Sequence, residues 1–131
     1  MAFRLEKQMT ISMPYLLIDE ENSYMKLEGR SFNVNVVDFF KEISEWLDKY
    51  LISDFKTFTF DCAMNYFNSS TVKALLNIIM KLDKYTTDEK KVIVNWITTE
   101  DNDIIIECGE DFREETHTLT FNMVITNSPI A

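Results

Sequence analysis

A chain of 131 residues with 10 Phe, 5 Tyr and 2 Trp is of single-domain size and has the apolar mass for one core without disulfide or metal staples. Its 13 Lys+Arg against 22 Asp+Glu leave a net charge of −9, which excludes binding built on neutralising nucleic-acid phosphates or an anionic membrane surface. Two glycines, two prolines, one histidine and two cysteines exclude linker or collagen-like sequence, the Rossmann and P-loop phosphate cradles and the usual zinc ligand sets.

The amino terminus, Met1 to Lys7, places charges where a secretory signal needs its apolar stretch, and no apolar run approaches membrane-spanning length, so a cytoplasmic protein is expected. Met13 to Ile18 is a short apolar run, Asp19 to Asn22 is polar, and Ser23 to Leu27 alternates; this pattern predicts a β-hairpin. Val36, Val37, Phe40, Ile43, Leu47, Tyr50 and Leu51 then recur with the helical period, behind Asn33 and Asn35 as candidate N-caps. From Lys56 to Cys62 the period becomes two, with Phe58, Phe60 and Cys62 on one face. Asn68-Ser69-Ser70-Thr71 opens a second helical pattern through Val72, Leu75, Leu76, Ile79 and Leu82. Val92 to Ile97 reads as a buried strand, and Asp101 to Glu115 as a third helix with Ile104, Ile105, Cys108 and Phe112 inward. Thr118 to Ile125 is the last strand, with Leu119, Phe121, Met123 and Ile125 on one face. The predicted fold is α/β: one mixed sheet in the order ββ-αβαβαβ, helices mainly on one side, in a single domain over residues 1–131 with its core at about 13–125.

The most informative segment is Asn65 to Lys73, which sets three hydroxyls and a capping amide at the start of a helix that leaves a strand. Helix starts present unpaired N–H groups and a partial positive charge, so a phosphate on Ser69 is accommodated there without melting the helix. Asn68 also reads as an ordinary N-cap with Phe67 stapled against Val72, and both readings hold together because they use different side chains. Met64, Tyr66 and Phe67 are candidate partner anchors as well as candidate core residues. The third helix, with Asp101, Asp103, Glu107, Glu110, Asp111, Glu114 and Glu115, is either a solvated face or a surface for a basic partner. No nucleophile–base pair or carboxylate pair stands out, His117 opens an alternating strand, and Cys62 and Cys108 read as small hydrophobes. No catalytic residue, metal or cofactor is expected.

Three blocks resemble the SiaC family of bacterial regulatory phosphoproteins, whose fold is similar to the STAS domains of anti-sigma-factor antagonists. They are Ser31-Phe32 through Asp38-Phe39-Phe40 with Glu45-Trp46-Leu47; Tyr66-Phe67-Asn68-Ser69-Ser70 with Lys73-Ala74-Leu75-Leu76; and Glu110-Asp111-Phe112-Arg113-Glu114. The resemblance implies a non-enzymatic switch. A dedicated protein kinase phosphorylates the residue matching Ser69, a metal-dependent Ser/Thr phosphatase reverses it, and the unphosphorylated form binds and activates a diguanylate cyclase. The family pattern has threonine at that place, and serine keeps the hydroxyl; Ser70 is the alternative acceptor. Asn68 is then the cap that fixes the acceptor, and Tyr66 and Phe67 the docking residues. An anti-sigma-factor antagonist is the alternative within the same class, and a small enzyme or ligand-binding domain the alternative outside it. Oligomeric state stays open.

Overall fold

A computed structural model describes residues 2–127. Its elements are β1 (Arg4–Lys7), β2 (Tyr15–Asp19), β3 (Tyr24–Ser31), α1 (Val36–Tyr50), β4 (Thr57–Phe67), α2 (Ser69–Tyr85), β5 (Lys91–Thr99), α3 (Asp103–Glu115) and β6 (Thr120–Thr126). The predicted order ββ-αβαβαβ is present, and β1 stands ahead of it, pairing antiparallel with β2 so that Leu5 lies opposite Ile18. A four-residue strand with three charged side chains gives too little alternation to be read from sequence.

The six strands lie in chain order across one sheet. β1, β2 and β3 are antiparallel; β3 to β6 run parallel, each joined to the next by a helix. Right-handed crossovers place consecutive helices on the same face, where α1 packs on α2 and α2 on α3. The core between them is one cluster in which Leu16, Ile18, Met25, Leu27, Phe58, Phe60, Val94 and Trp96 from the strands meet Ile43, Leu47, Leu75, Ile79 and Leu82 from the helices. The other sheet face carries a polar ladder: Asp61 accepts from the Tyr24 hydroxyl (2.7 Å) and from Asn95 Nδ2 (2.8 Å), and Asn95 accepts from Asn122 Nδ2 (3.0 Å).

Some inward assignments change. Val37 and Ile104, each next to an apolar neighbour, are exposed, because successive helical residues turn by about 100° and only one of such a pair can face the sheet. Ile125 is also exposed. Asn35 occupies the N-cap position of α1 without a side-chain bond, while Asn33 Oδ1 accepts from Asn35 N at 2.9 Å. His117 lies ahead of β6, where its backbone N–H donates to the Asp83 carboxylate.

Parallel strands set their carboxyl ends at one edge of the molecule, so the segments after Ser31, Phe67 and Thr99 gather there. The start of α2 belongs to this end.

Candidate functional site

β3 and β4 slip by one residue at their carboxyl ends, Gly29 opposing Met64 but Arg30 opposing Tyr66. The slip leaves Asn65 as the extra residue of β4, and Asn102 Nδ2 meets its carbonyl at 2.9 Å. Gly29 permits the bend: its φ is 113°, and a Cβ there would stand 2.8 Å from the Met9 methyl. The consequence is a surface cluster. Tyr66, 47% exposed, meets Phe32 edge to face at 5.8 Å between centroids, and the Arg30 guanidinium lies 5.3 Å from the Phe32 ring and 5.5 Å from the Tyr66 ring. A cation over two rings holds all three side chains in place with little loss of exposure.

Phe67 parts from its neighbour. Strand alternation turns it inward, where it is 8% exposed and its ring edge meets Trp96 at 6.1 Å. As a docking residue Phe67 is therefore corrected to a core residue, and of the two readings open for Met64 burial selects the core one. The exposed cluster at this end is instead Tyr66 with Arg30 and Phe32, next to a register slip that sequence pattern does not display.

Next along the chain, Asn68 has extended backbone and its Oδ1 accepts from Thr71 N at 3.1 Å, closing the first turn of α2. Its own N–H donates to the Ser31 carbonyl (3.2 Å), which also accepts from the Thr71 hydroxyl (3.1 Å). Ser31 Oγ and Thr71 Oγ1 are 2.7 Å apart, and both residues are fully buried. A buried hydroxyl pair is stable only when each member is satisfied, so this pair pins the helix start to the end of β3. The three hydroxyls at the start of α2 are thereby sorted: Thr71 is buried and bonded, while Ser69 and Ser70 are exposed and enter no hydrogen bond among the described residues. Ser70 lines a cleft between α1 and α2 together with Val37, Lys41, Ser44 and Lys73. The first turn of α2 holds no acidic side chain, so no like charge within that turn opposes an anion.

Among the described residues no group of three or more His, Cys, Asp or Glu is placed to hold a metal, and no helix is long and apolar enough to cross a membrane. Cys62 is buried and Cys108 half-buried, both free; burial raises both thiols, that of Cys108 to about 11, which keeps them protonated and unreactive near neutrality.

Fold and site together define a small mixed α/β protein that gathers exposed rings, a guanidinium and exposed hydroxyls at the helix start where the parallel strands end. The description "SiaC family regulatory phosphoprotein" matches residues 7–126, and the chain belongs to that family. A Pseudomonas aeruginosa (strain UCBPP-PA14) protein described as uncharacterized is 24% identical over 106 residues, covering 81% of this chain and 84% of that one. Among solved structures, SiaC of P. aeruginosa superposes with a TM-score of 0.85 at 22% identity, over 95% of this chain and 99% of that one. The crystal structure of the P. aeruginosa diguanylate cyclase SiaD in complex with its activator SiaC matches with a TM-score of 0.86 at 23% identity, over 93% and 99%. At these identities the solved structures establish the shared fold.

Proposed function

We propose that this chain acts as a single-domain, non-enzymatic cytoplasmic switch in which Ser69 is the phosphoacceptor and the unphosphorylated form binds and activates a diguanylate cyclase. A partner protein kinase adds the phosphate and a metal-dependent Ser/Thr phosphatase removes it. The observation that carries this reading is the sorting of hydroxyls at the start of α2: Thr71 is locked into the core, and Ser69 is left exposed one residue after the cap, close in sequence to the exposed Tyr66 ring. Family membership and the activator role of P. aeruginosa SiaC toward its cyclase support the same assignment.

The chemistry follows from charge. A phosphoserine brings about −1.5 to −2 units to a helix start whose N–H groups and dipole favour it, so the domain keeps its fold. A partner surface packed on Tyr66, Phe32 and an uncharged serine has no such compensation and loses affinity. Mass spectrometry of the protein isolated from its host with phosphatases inhibited tests the assignment: phosphate on Ser69 is expected, and phosphate confined to Ser70 overturns it. Protein carrying Ser69→Ala is expected to activate the cyclase regardless of the kinase.

A further inference from the structure

Charge is spread unevenly over the three helices. α3 is acidic and α1 mixed, but α2 carries Lys73, Lys81 and Lys84 against one carboxylate, that of Asp83, which is buried and bonded to the α3–β6 connection. In a chain of net charge −9, the outward charges of α2 are thus all positive. α1 sorts its own charges by flank. Asp38 and Glu42 line a hollow on the side of β1, where Glu42 pairs with Lys7, while Lys41 and Ser44 line the cleft towards α2. None of the residues lining that cleft is acidic. Lys41 and Lys73, one from each helix, enter no ion pair among the described residues, whereas Lys81, farther along α2, is paired with Asp48 at 2.5 Å. The rest of the lining includes Phe40, Ala74, Ile78 and Val37, the last 68% exposed.

We propose that the cleft between α1 and α2 seats an acidic segment of the cyclase partner, its apolar side chains on Val37, Phe40, Ala74 and Ile78 and its carboxylates on Lys41 and Lys73. The proposal rests on the functional reading above and adds the chemistry of the partner. Charge complementarity selects the occupant. Carboxylates outnumber cations in this chain by 22 to 13, yet these two lysines border a cleft that holds none. A basic segment meets like charge there, and a wholly apolar one strips water from two ammonium groups without replacing it. A segment with carboxylates beside an apolar edge satisfies both parts of the lining. The cleft is also continuous with the acceptor. Ser70 lines it, and Ser69 stands four residues before Lys73, the spacing at which helical side chains meet. A phosphate on Ser69 thus pairs with Lys73 and sets a second anion beside the partner's carboxylate, so modification and partner compete for one ammonium group.

Calorimetric titration of the unphosphorylated full chain with the diguanylate cyclase of its host tests this. Lys41→Glu combined with Lys73→Glu should weaken binding by about thirtyfold or more, and Lys41→Arg combined with Lys73→Arg should hold it within about threefold of wild type. Both lysines are exposed, so thermal melts by circular dichroism should stay near those of wild type. Lys56→Glu combined with Lys91→Glu makes the same change of charge at exposed residues where β4 and β5 begin, and should cost less than about threefold. Equal losses from the two pairs would assign the effect to net charge, and tighter binding by the reversed cleft would assign it a basic segment; either overturns the proposal. Phosphorylated wild type, titrated alongside, separates this proposal from the functional reading. If phosphate abolishes binding while reversal of the cleft lysines leaves it unchanged, the cleft proposal falls alone. A cyclase that binds neither form of the wild type overturns the functional reading and the cleft proposal with it.

Discussion

The two ends of α2 are both tied to the sheet, but by opposite chemistry. At its start the ties are neutral: the Asn68 amide, the Ser31 carbonyl and the Ser31–Thr71 hydroxyl pair. At its end they converge on one carboxylate. Asp83, 8% exposed, accepts from the backbone N–H groups of His117 (3.1 Å), Thr118 (2.8 Å) and Leu119 (2.9 Å), and from the Thr118 hydroxyl, which also meets the Asp83 carbonyl. A carboxylate near a helix C-terminus opposes the dipole, so it is the N–H groups of the α3–β6 connection that make the arrangement favourable. The difference separates two uses of charge. The C-terminal joint depends on a fixed anion and tolerates no change in it, whereas the N-terminal joint depends on none and is free to gain one.

The largest effect expected from this contrast is on partner binding. Phosphorylation of Ser69 should lower affinity for the cyclase by two or more decades, about 3 kcal/mol or more, while the thermal midpoint of the free domain stays nearly constant. Calorimetric titration of both forms, with circular dichroism melts alongside, reads the two quantities separately. Ser69→Asp should weaken binding less than the phosphate, having one charge in place of about two. Loss of a cooperative melt on phosphorylation would show that the N-terminal joint does depend on charge, and the contrast would break.

At the other end, Asp83→Asn should cost about 2–3 kcal/mol of stability, since charge-assisted bonds to buried N–H groups are lost and the amide turns a donor towards them. Burial by itself would raise the Asp83 pKa, but the N–H groups of Leu119, Thr118 and His117 and the Thr118 hydroxyl together hold it below the ordinary carboxylate value. A group whose pKa is lower folded than unfolded stabilises the fold above the unfolded value, near 3.9, and loses that contribution as pH falls through the folded one. Denaturant melts from pH 6 downwards should therefore show a difference between wild type and Asp83→Asn that shrinks below about pH 4. A difference that stays constant through the acid range would show that the Asp83 charge is not what holds this joint.

A smaller effect separates the cluster from the core. Tyr66→Ala should reduce cyclase affinity by about 1–2 kcal/mol, roughly ten- to thirtyfold, and leave stability within about 0.5 kcal/mol, because the ring is exposed. Surface plasmon resonance and a denaturant melt measure the pair. An unchanged affinity would remove the Arg30–Phe32–Tyr66 cluster from the docking surface while leaving the acceptor assignment standing.

Much of this architecture is legible in the sequence for a physical reason. Phe58-x-Phe60-x-Cys62 and the Leu75, Ile79, Leu82 spacing express burial against one partner layer, and a one-layer burial pattern has a single period. Asn68 is legible as a cap because capping is a local bond, three residues long. The contacts that sequence does not display join residues far apart in the chain. Asp83 reaches His117 to Leu119 across 34 to 36 positions, and Ser31 reaches Thr71 across 40. Neither pairing leaves a periodic trace. Phe67 shows a subtler limit: an aromatic beside a functional loop fits docking and packing equally until strand alternation is fixed in space, and here it turns Tyr66 out and Phe67 in.

The smallest expected effect tests whether the N-terminal joint is a unit or a set of independent bonds. Asn68→Ala removes the acceptor for Thr71 N and should cost about 1 kcal/mol, whereas Asn68→Gly, with its open backbone, should cost less than Ala by several tenths. If the Ser31–Thr71 pair holds the turn by itself, fraying stays local: exchange of the Thr71 amide should accelerate by about fivefold, the factor that 1 kcal/mol supplies, while the Leu119 amide at the Asp83 joint keeps its protection relative to global stability. Hydrogen exchange by NMR resolves both amides in one experiment. Acceleration at Leu119 beyond the global loss would mean that the two ends of α2 communicate, so that a charge gained at Ser69 is felt at Asp83. Acceleration confined to the first turn means that the phosphate acts only on the surface that carries it.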